Sequence, residues 1–228
     1  MIKAVFFDMG GTLVFDKGFS QKMYEHVAKV LEKEADLKPG YDEFINAWLS
    51  SPWENDNKEY WDLFRSMVFL KRLGLEPTPH LAEKVYEAVL EAYKEGFYLD
   101  EDTYSVFSFI KEKGLKIGII SNVGSYEILS ERLEYLGLKK YVDILIASQA
   151  VIWKKPDRRI FEIACYLASV EPPEAVHIGD DPILDIMGAK KVGMKAIQVL
   201  KAVNEKSPIA DAWVNSIKEV KQILEKWI

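Results

Sequence analysis

Apolar positions follow two rhythms along the chain. Residues 2–7 (IKAVFF) form a short β-rich apolar run that stops at Asp8 and a Gly-Gly pair, a pattern that predicts a buried strand. From about Phe19 to Glu95 the rhythm turns helical. Met23, Val27, Val30 and Leu31 recur at i, i+4, i+7 and i+8, one face of an amphipathic helix. Phe44, Ala47 and Trp48 continue it, followed by Tyr60, Leu63, Phe64, Met67 and Val68, then by Leu81, Val85, Ala88, Val89 and Ala92. Four helices with no strand between them predict a separate helical subdomain.

From about Leu99 the chain alternates. A helix over 103–113 ends at Gly114 and is followed by the strand LKIGIIS; a helix over about 125–136 ends at Gly137 and leads into VDILIA. A helix over 158–168 precedes AVHIGDD, and a helix over 182–192 ends at Gly193 before KAIQVL. The apolar stretch AWVN and a helix over 216–227 close the chain. Strand–helix alternation with glycine just past the helix ends predicts a doubly wound parallel α/β sheet. The expected domains are a discontinuous core, residues 1–15 plus 96–228, and a helical insert, residues 16–95. Ligands of open α/β sheets bind beyond the carboxyl ends of the strands, where all the candidate polar residues fall.

Composition narrows the function classes. With 49% hydrophobic and 29% charged residues, the chain suits a soluble globular protein with a sizeable core. A net charge of −6 argues against nucleic acid and anionic membranes as partners, and no apolar run approaches the roughly 20 residues needed to span a bilayer. The four apolar residues before Asp8 are too few for a signal peptide. The single cysteine, Cys165, excludes an internal disulfide and fits a reducing cytoplasm; its apolar helical surroundings predict a packing role. The expected partner is a small molecule. No residue pattern specifies an oligomeric state.

Several residues carry candidate chemistry. Asp8 can attack an electrophile or bind a cation, and the glycines after it let a ligand approach the backbone, although a turn aspartate would read the same way. Ser121 and Asn122 end a strand, either as oxyanion donors or as an ordinary polar exit. Of Lys154 and Lys155, one facing the ligand edge would neutralise a carboxylate and a phosphoryl group; otherwise they are a solvated pair. Asp181 precedes Pro182 and reads as a helix N-cap, which leaves Asp180 and Asp185 without a structural explanation. Carboxylates gathered near Asp8 would repel one another unless a hard cation such as Mg²⁺ sat among them.

Taken in order, FFDMGGTL, IISN, KKPD and IGDDPILD resemble the four-motif signature of the haloacid dehalogenase-like (HAD) hydrolases. The resemblance implies a Rossmann-like core with a smaller helical cap, and a Mg²⁺-dependent phosphatase of a small phosphorylated metabolite. Asp8 would be the nucleophile, forming an aspartyl-phosphate that water hydrolyses. Ser121 would bind the transferring phosphoryl oxygen and Lys155 would balance charge at the nucleophile, with Gly11, Thr12 and Asn122 beside the substrate. Asp8, the main-chain carbonyl of Gly10 and Asp180 would hold Mg²⁺, and Asp185 would support them through water or from a second layer.

One departure matters. Family phosphatases usually carry a second aspartate, a general acid and base, two residues after the nucleophile, and here that position is Gly10. The loss predicts weak turnover of ordinary phosphate monoesters or a preference for good leaving groups. Asp16 is the one nearby substitute, unless it only begins the linker into the cap. The missing acid also raises a competing resemblance to 2-haloacid dehalogenases, which need neither acid nor metal, but IGDD retains the metal-binding carboxylate. A weakly active or inert binding relative is the third reading. Trp48, Trp53, Tyr60 and Trp61 concentrate in the cap with Arg65, Lys71 and Arg72, and Trp53 in the SSPWEND loop is the one expected to reach the site. His26 and His80 read as surface residues, and His177 as a packing residue of its strand.

Overall fold

A computed structural model describes residues 1–50, 58–203 and 205–228. The chain forms two compact units: an α/β unit of residues 1–15 and 99–228 with Lys58 and Glu59, and a helical unit comprising the rest.

The chain opens with β1 (Ala4–Phe7) and β2 (Val14–Asp16). The helical unit then contributes α1 (Phe19–Ala35), α2 (Tyr41–Leu49), α3 (Asp62–Arg72) and α4 (Pro79–Glu95), the four helices that the periodicity predicts. Met23, Val27, Ala28 and Leu31 form the buried stripe of α1, and Leu81, Val85, Ala88, Val89 and Ala92 that of α4. Phe44 of α2 meets Phe69 of α3 edge-on, with ring centroids 5.0 Å apart, and Trp48 packs on the same ring at 5.5 Å. Trp48 is therefore part of this small core. Asp16 begins the unit: its Oδ1 accepts from the N–H groups of Gly18 (2.7 Å) and Phe19 (2.8 Å) at the start of α1.

β3 (Phe97–Leu99) pairs with β2 in a separate two-stranded sheet. These strands have three residues each, too few for a period-2 signal, so the sequence pattern does not show them. There follow α5 (Thr103–Glu112), β4 (Lys116–Ser121), α6 (Tyr126–Tyr135), β5 (Ile144–Ala147), the short α7 (Ser148–Val151) and α8 (Arg158–Ala168). β6 (Ala175–Gly179) leads into a π-helical turn (Pro182–Met187) that continues as α9 (Gly188–Val192), then β7 (Lys195–Val199), β8 (Ala212–Val214) and α10 (Val220–Trp227).

Six strands form one sheet in the order β5-β4-β1-β6-β7-β8, and every pairing is parallel. This is the doubly wound α/β fold that the alternation predicts. β1 is buried along its whole length, as a parallel strand covered on both faces must be. One side of the core joins Ala4, Phe6, Ile120, Ile146 and Ala196 of the sheet to Ile160, Phe161, Ala164, Cys165 and Ala168 of α8, so Cys165 is a packing residue. The chain runs outward from β1 through β4 to β5, then crosses back to β6 on the other side. The reversal opens the sheet's carboxyl edge around β1, where side chains from β1, β4 and β6 can converge.

Candidate functional site

Asp8 is the first residue beyond β1 and is buried; its N–H donates to the Ile178 carbonyl of β6 at 2.9 Å. Strand pairing thus fixes its main chain, and only the side chain faces the open edge. Lys155 follows the β5 end by eight residues, and its buried Nζ donates to Asp8 Oδ1 (2.5 Å) and to Asp185 Oδ1 (2.6 Å). Of the two lysines, it is therefore Lys155 that faces the carboxylates.

Asn122 holds that lysine in place. Its Nδ2 donates to the Lys155 carbonyl at 3.1 Å, and its Oδ1 accepts from the Lys155 N–H at 2.8 Å. The amide expected beside substrate is thus engaged with protein main chain. Ser121 closes β4 in the strand next to β1 and is buried. Two residues on, Val123 gives its N–H to Ser148 Oγ at 2.9 Å, and that hydroxyl lies 3.1 Å from Glu59 Oε2.

Beyond β6, Asp181 caps the next helix as its proline neighbour predicts, its Oδ1 accepting from the N–H groups of Ile183 and Leu184 at 2.7 Å each. The expected regular helix over 182–192 instead starts with a wider turn. The Asp181 carbonyl accepts from both Asp185 N–H (3.1 Å) and Ile186 N–H (3.2 Å), so the ladder slips from i+4 to i+5. Asp185 is buried there, and its Oδ2 accepts from the Asp181 N–H at 3.1 Å. Asp185 also lies so close to Gly179 that a Cβ on that residue would collide with its carboxylate.

Asp180 completes the cluster. Thr12 Oγ1 donates to its Oδ1 at 3.3 Å, so this hydroxyl, expected beside substrate, serves a carboxylate. Gly11 has φ +76°, and a Cβ there would stand 2.5 Å from Asp180 Oδ2, so conformation and space both require glycine. Gly10 is different: it is exposed, and a Cβ on it would meet nothing within 4 Å among the described residues. Trp53 lies outside the described residues.

Two buried contributors escape sequence reasoning. His177, which reads as a packing residue, does pack on Phe161, but its Nε2 also lies 2.9 Å from Asp185 Oδ1. Gln198 of β7 donates through Nε2 to the carbonyls of Asp180 (3.0 Å) and Glu205 (2.8 Å), tying the segment after β7 to Asp180. A lone polar residue inside the apolar run KAIQVL was the available signal. The other histidines are peripheral: His26 lies 3.2 Å and His80 3.7 Å from glutamates.

Side-chain oxygens of Asp8, Asp180 and Asp185 all lie within 4.8 Å of one another. Burial, reinforced by Asp185 and Asp180, pushes Asp8 up to about 7 against the pull of Lys155. Burial and Asp185 likewise push Asp180 up to about 6. Asp185 goes the other way: although burial opposes it, Lys155 and His177 hold its carboxyl well below the usual carboxylate range. Burial also works against the Lys155 ammonium, but Asp185 and Asp8 keep it above its ordinary value, so it stays charged. The result is a fixed cation, one firmly ionised carboxylate, and two carboxylates whose ionisation calls for further positive charge.

Comparison with known proteins supplies the chemical context. The sequence profile of haloacid dehalogenase-like hydrolases matches residues 2–193. The chain is 42% identical over 89 residues to haloacid dehalogenase-like hydrolase domain-containing protein 3 of Bos taurus, a match covering 39% of this chain and 35% of that protein. It thus spans about a third of that relative's length. It is 29% identical to the glyceraldehyde 3-phosphate phosphatase of Methanothermobacter thermautotrophicus over 98% of this chain and 100% of that one. Among solved structures, a HAD phosphatase from Thermococcus onnurineus superposes with a TM-score of 0.75 at 27% identity, covering 98% of each chain. A 2-haloacid dehalogenase from Pseudomonas syringae superposes with 0.83 at 23% identity over the full length of both, which shows a shared fold. Among the described residues, no helix is long and apolar enough to cross a membrane.

Proposed function

The chain belongs to the haloacid dehalogenase-like hydrolases, and from that premise we propose that it is a Mg²⁺-dependent phosphatase of a small phosphorylated metabolite, working through an aspartyl-phosphate on Asp8. One observation carries the reading: oxygens of three carboxylates lie within 4.8 Å of one another, while among the described residues Lys155 neutralises only part of their charge. Displacement of a halide needs no metal, and a halide-displacing enzyme would gain nothing from such crowding. The relative named as a phosphatase that matches over its full length points the same way.

The donor set suits Mg²⁺, which favours hard oxygen ligands. Asp8, the Gly10 carbonyl and Asp180 would hold it. Both Asp185 oxygens already accept from protein donors, so Asp185 would act behind them through Lys155. When bound, the ion would offset phosphoryl charge at the nucleophile. A carboxylate oxygen of Asp8 attacks phosphorus as the bond to the leaving oxygen breaks. Water then attacks the phosphorus of the aspartyl-phosphate, and phosphate departs with both of water's protons as the Asp8 carboxylate is regenerated. Lys155 would offset the charge that develops, and Ser121, at the end of β4, would donate to a phosphoryl oxygen. The helical unit would act as the cap that selects substrate.

Parallel assays of p-nitrophenyl phosphate and 2-chloropropionate, each with Mg²⁺ and with EDTA, test the proposal. Phosphate release should require Mg²⁺ and vanish in Asp8→Asn. Chloride release that persists in EDTA would replace this reading with the dehalogenase.

A further inference from the structure

We infer that His177 is a positioning residue whose Nε2–H fixes the Asp185 carboxylate, so that Asp185 retains Lys155 while Asp8 is occupied by the phosphoryl group. This rests on the phosphatase reading.

The ring is fully buried in β6 and stands edge-on to Phe161, with centroids 5.2 Å apart. Nε2 lies 2.9 Å from Asp185 Oδ1, the same oxygen that accepts from Lys155 Nζ at 2.6 Å. A carboxylate oxygen can only accept, so the shared proton belongs to Nε2. Nδ1 is buried and has no hydrogen-bond partner among the described residues. A proton on Nδ1 would leave an unmatched donor in an apolar setting, a costlier defect than a bare ring nitrogen. The geometry therefore specifies the neutral tautomer with hydrogen on Nε2.

The reaction gives that hydrogen bond a purpose. Lys155 Nζ divides its donors between Asp8 and Asp185. When an Asp8 oxygen bonds to phosphorus, Asp8 ceases to be a free carboxylate and its attraction for Lys155 falls. Asp185 then remains as the protein carboxylate in contact with the ammonium. Its orientation is set by three contacts: the Asp181 N–H on Oδ2, His177 on Oδ1, and the bare face of Gly179 against the carboxylate. Without His177, Oδ1 would accept from Lys155 alone.

Two substitutions separate this role from packing. His177→Gln places an amide donor near the former Nε2, whereas His177→Met keeps bulk and removes the donor. With Mg²⁺ and p-nitrophenyl phosphate, the Met variant should lose about tenfold or more in kcat with little change in KM, and the Gln variant should recover most of it. Equal losses in both variants, or none in the Met variant, would overturn the inference. Should the Met variant not fold, ¹⁵N-histidine NMR of the unaltered protein decides: a protonated Nε2 and bare Nδ1 are expected, and a protonated Nδ1 refutes the assignment. This spectrum needs no turnover, so an inactive wild-type protein would defeat the phosphatase reading separately.

Discussion

Asn122 and Lys155, 33 residues apart, are joined by a two-way hydrogen bond between the asparagine amide and the lysine main chain. The lysine's stem is thereby fixed independently of its charged end. Replacing Asn122 with Ala would strand a partly buried N–H and C=O of Lys155, a loss of roughly 1–3 kcal/mol in stability. We expect kcat to fall as well, because a displaced main chain moves Nζ from the nucleophile. Urea unfolding alongside steady-state kinetics checks both, and an unchanged midpoint would show that the amide holds nothing.

Removing the charge itself should cost more. Lys155→Met leaves Asp8 and Asp185 buried without their cation, a defect of about 3–5 kcal/mol when one partner of a buried ion pair is lost. Asp8→Asn on the same background relieves part of the remaining repulsion. The double variant should therefore unfold at higher urea than Lys155→Met alone.

The open space beside Gly10 makes a gain of function accessible. Among the described residues, no atom lies within 4 Å of a Cβ placed there, so Gly10→Asp should fold without rearrangement. A positioned general acid is worth roughly 10²–10⁴-fold on leaving groups that need a proton. The variant's rate on an alkyl phosphate should rise far more than its rate on p-nitrophenyl phosphate. Equal changes on both substrates would show that protonation of the leaving group does not limit the wild-type protein.

Metal binding should be linked to protons. Asp8 is pushed up to about 7 and Asp180 up to about 6, and both must be ionised to ligate Mg²⁺. Since these pKa values are raised, the metal-free protein carries protons near pH 6 that binding must expel. Affinity should climb as pH rises from about 6 to 7 and level off near 8. Calorimetry at pH 6.5 in two buffers of different ionisation enthalpy should reveal proton release; buffer-independent heats would mean that neither carboxylate is a ligand.

The fold and much of the site could be read from residue order, because each depends on short-range grammar. The apolar run before Asp8 marks β1, and the Asp181–Pro182 pair marks a helix start that the structure reproduces hydrogen bond by hydrogen bond. What stayed hidden depends on contacts between distant segments. Nothing local to Thr12 says that its hydroxyl turns to Asp180, 168 residues away, nor that Asn122 grips the main chain of Lys155. His177 was half legible: a histidine inside AVHI does pack, and only the slipped turn that carries Asp185 reveals its second contact.

That slipped turn also limits how this stretch can vary in length. The Asp181 carbonyl serves two N–H groups because one more residue is accommodated than a regular α-helical turn would hold. Deleting a single residue between Pro182 and Leu184 would let the ladder close normally, yet it would swing the following carboxylate about 100° around the helix axis. A shortening that local rules favour would thus disarm the site, so descendants of this sequence should exchange residues between Pro182 and Leu184 far more freely than they gain or lose one.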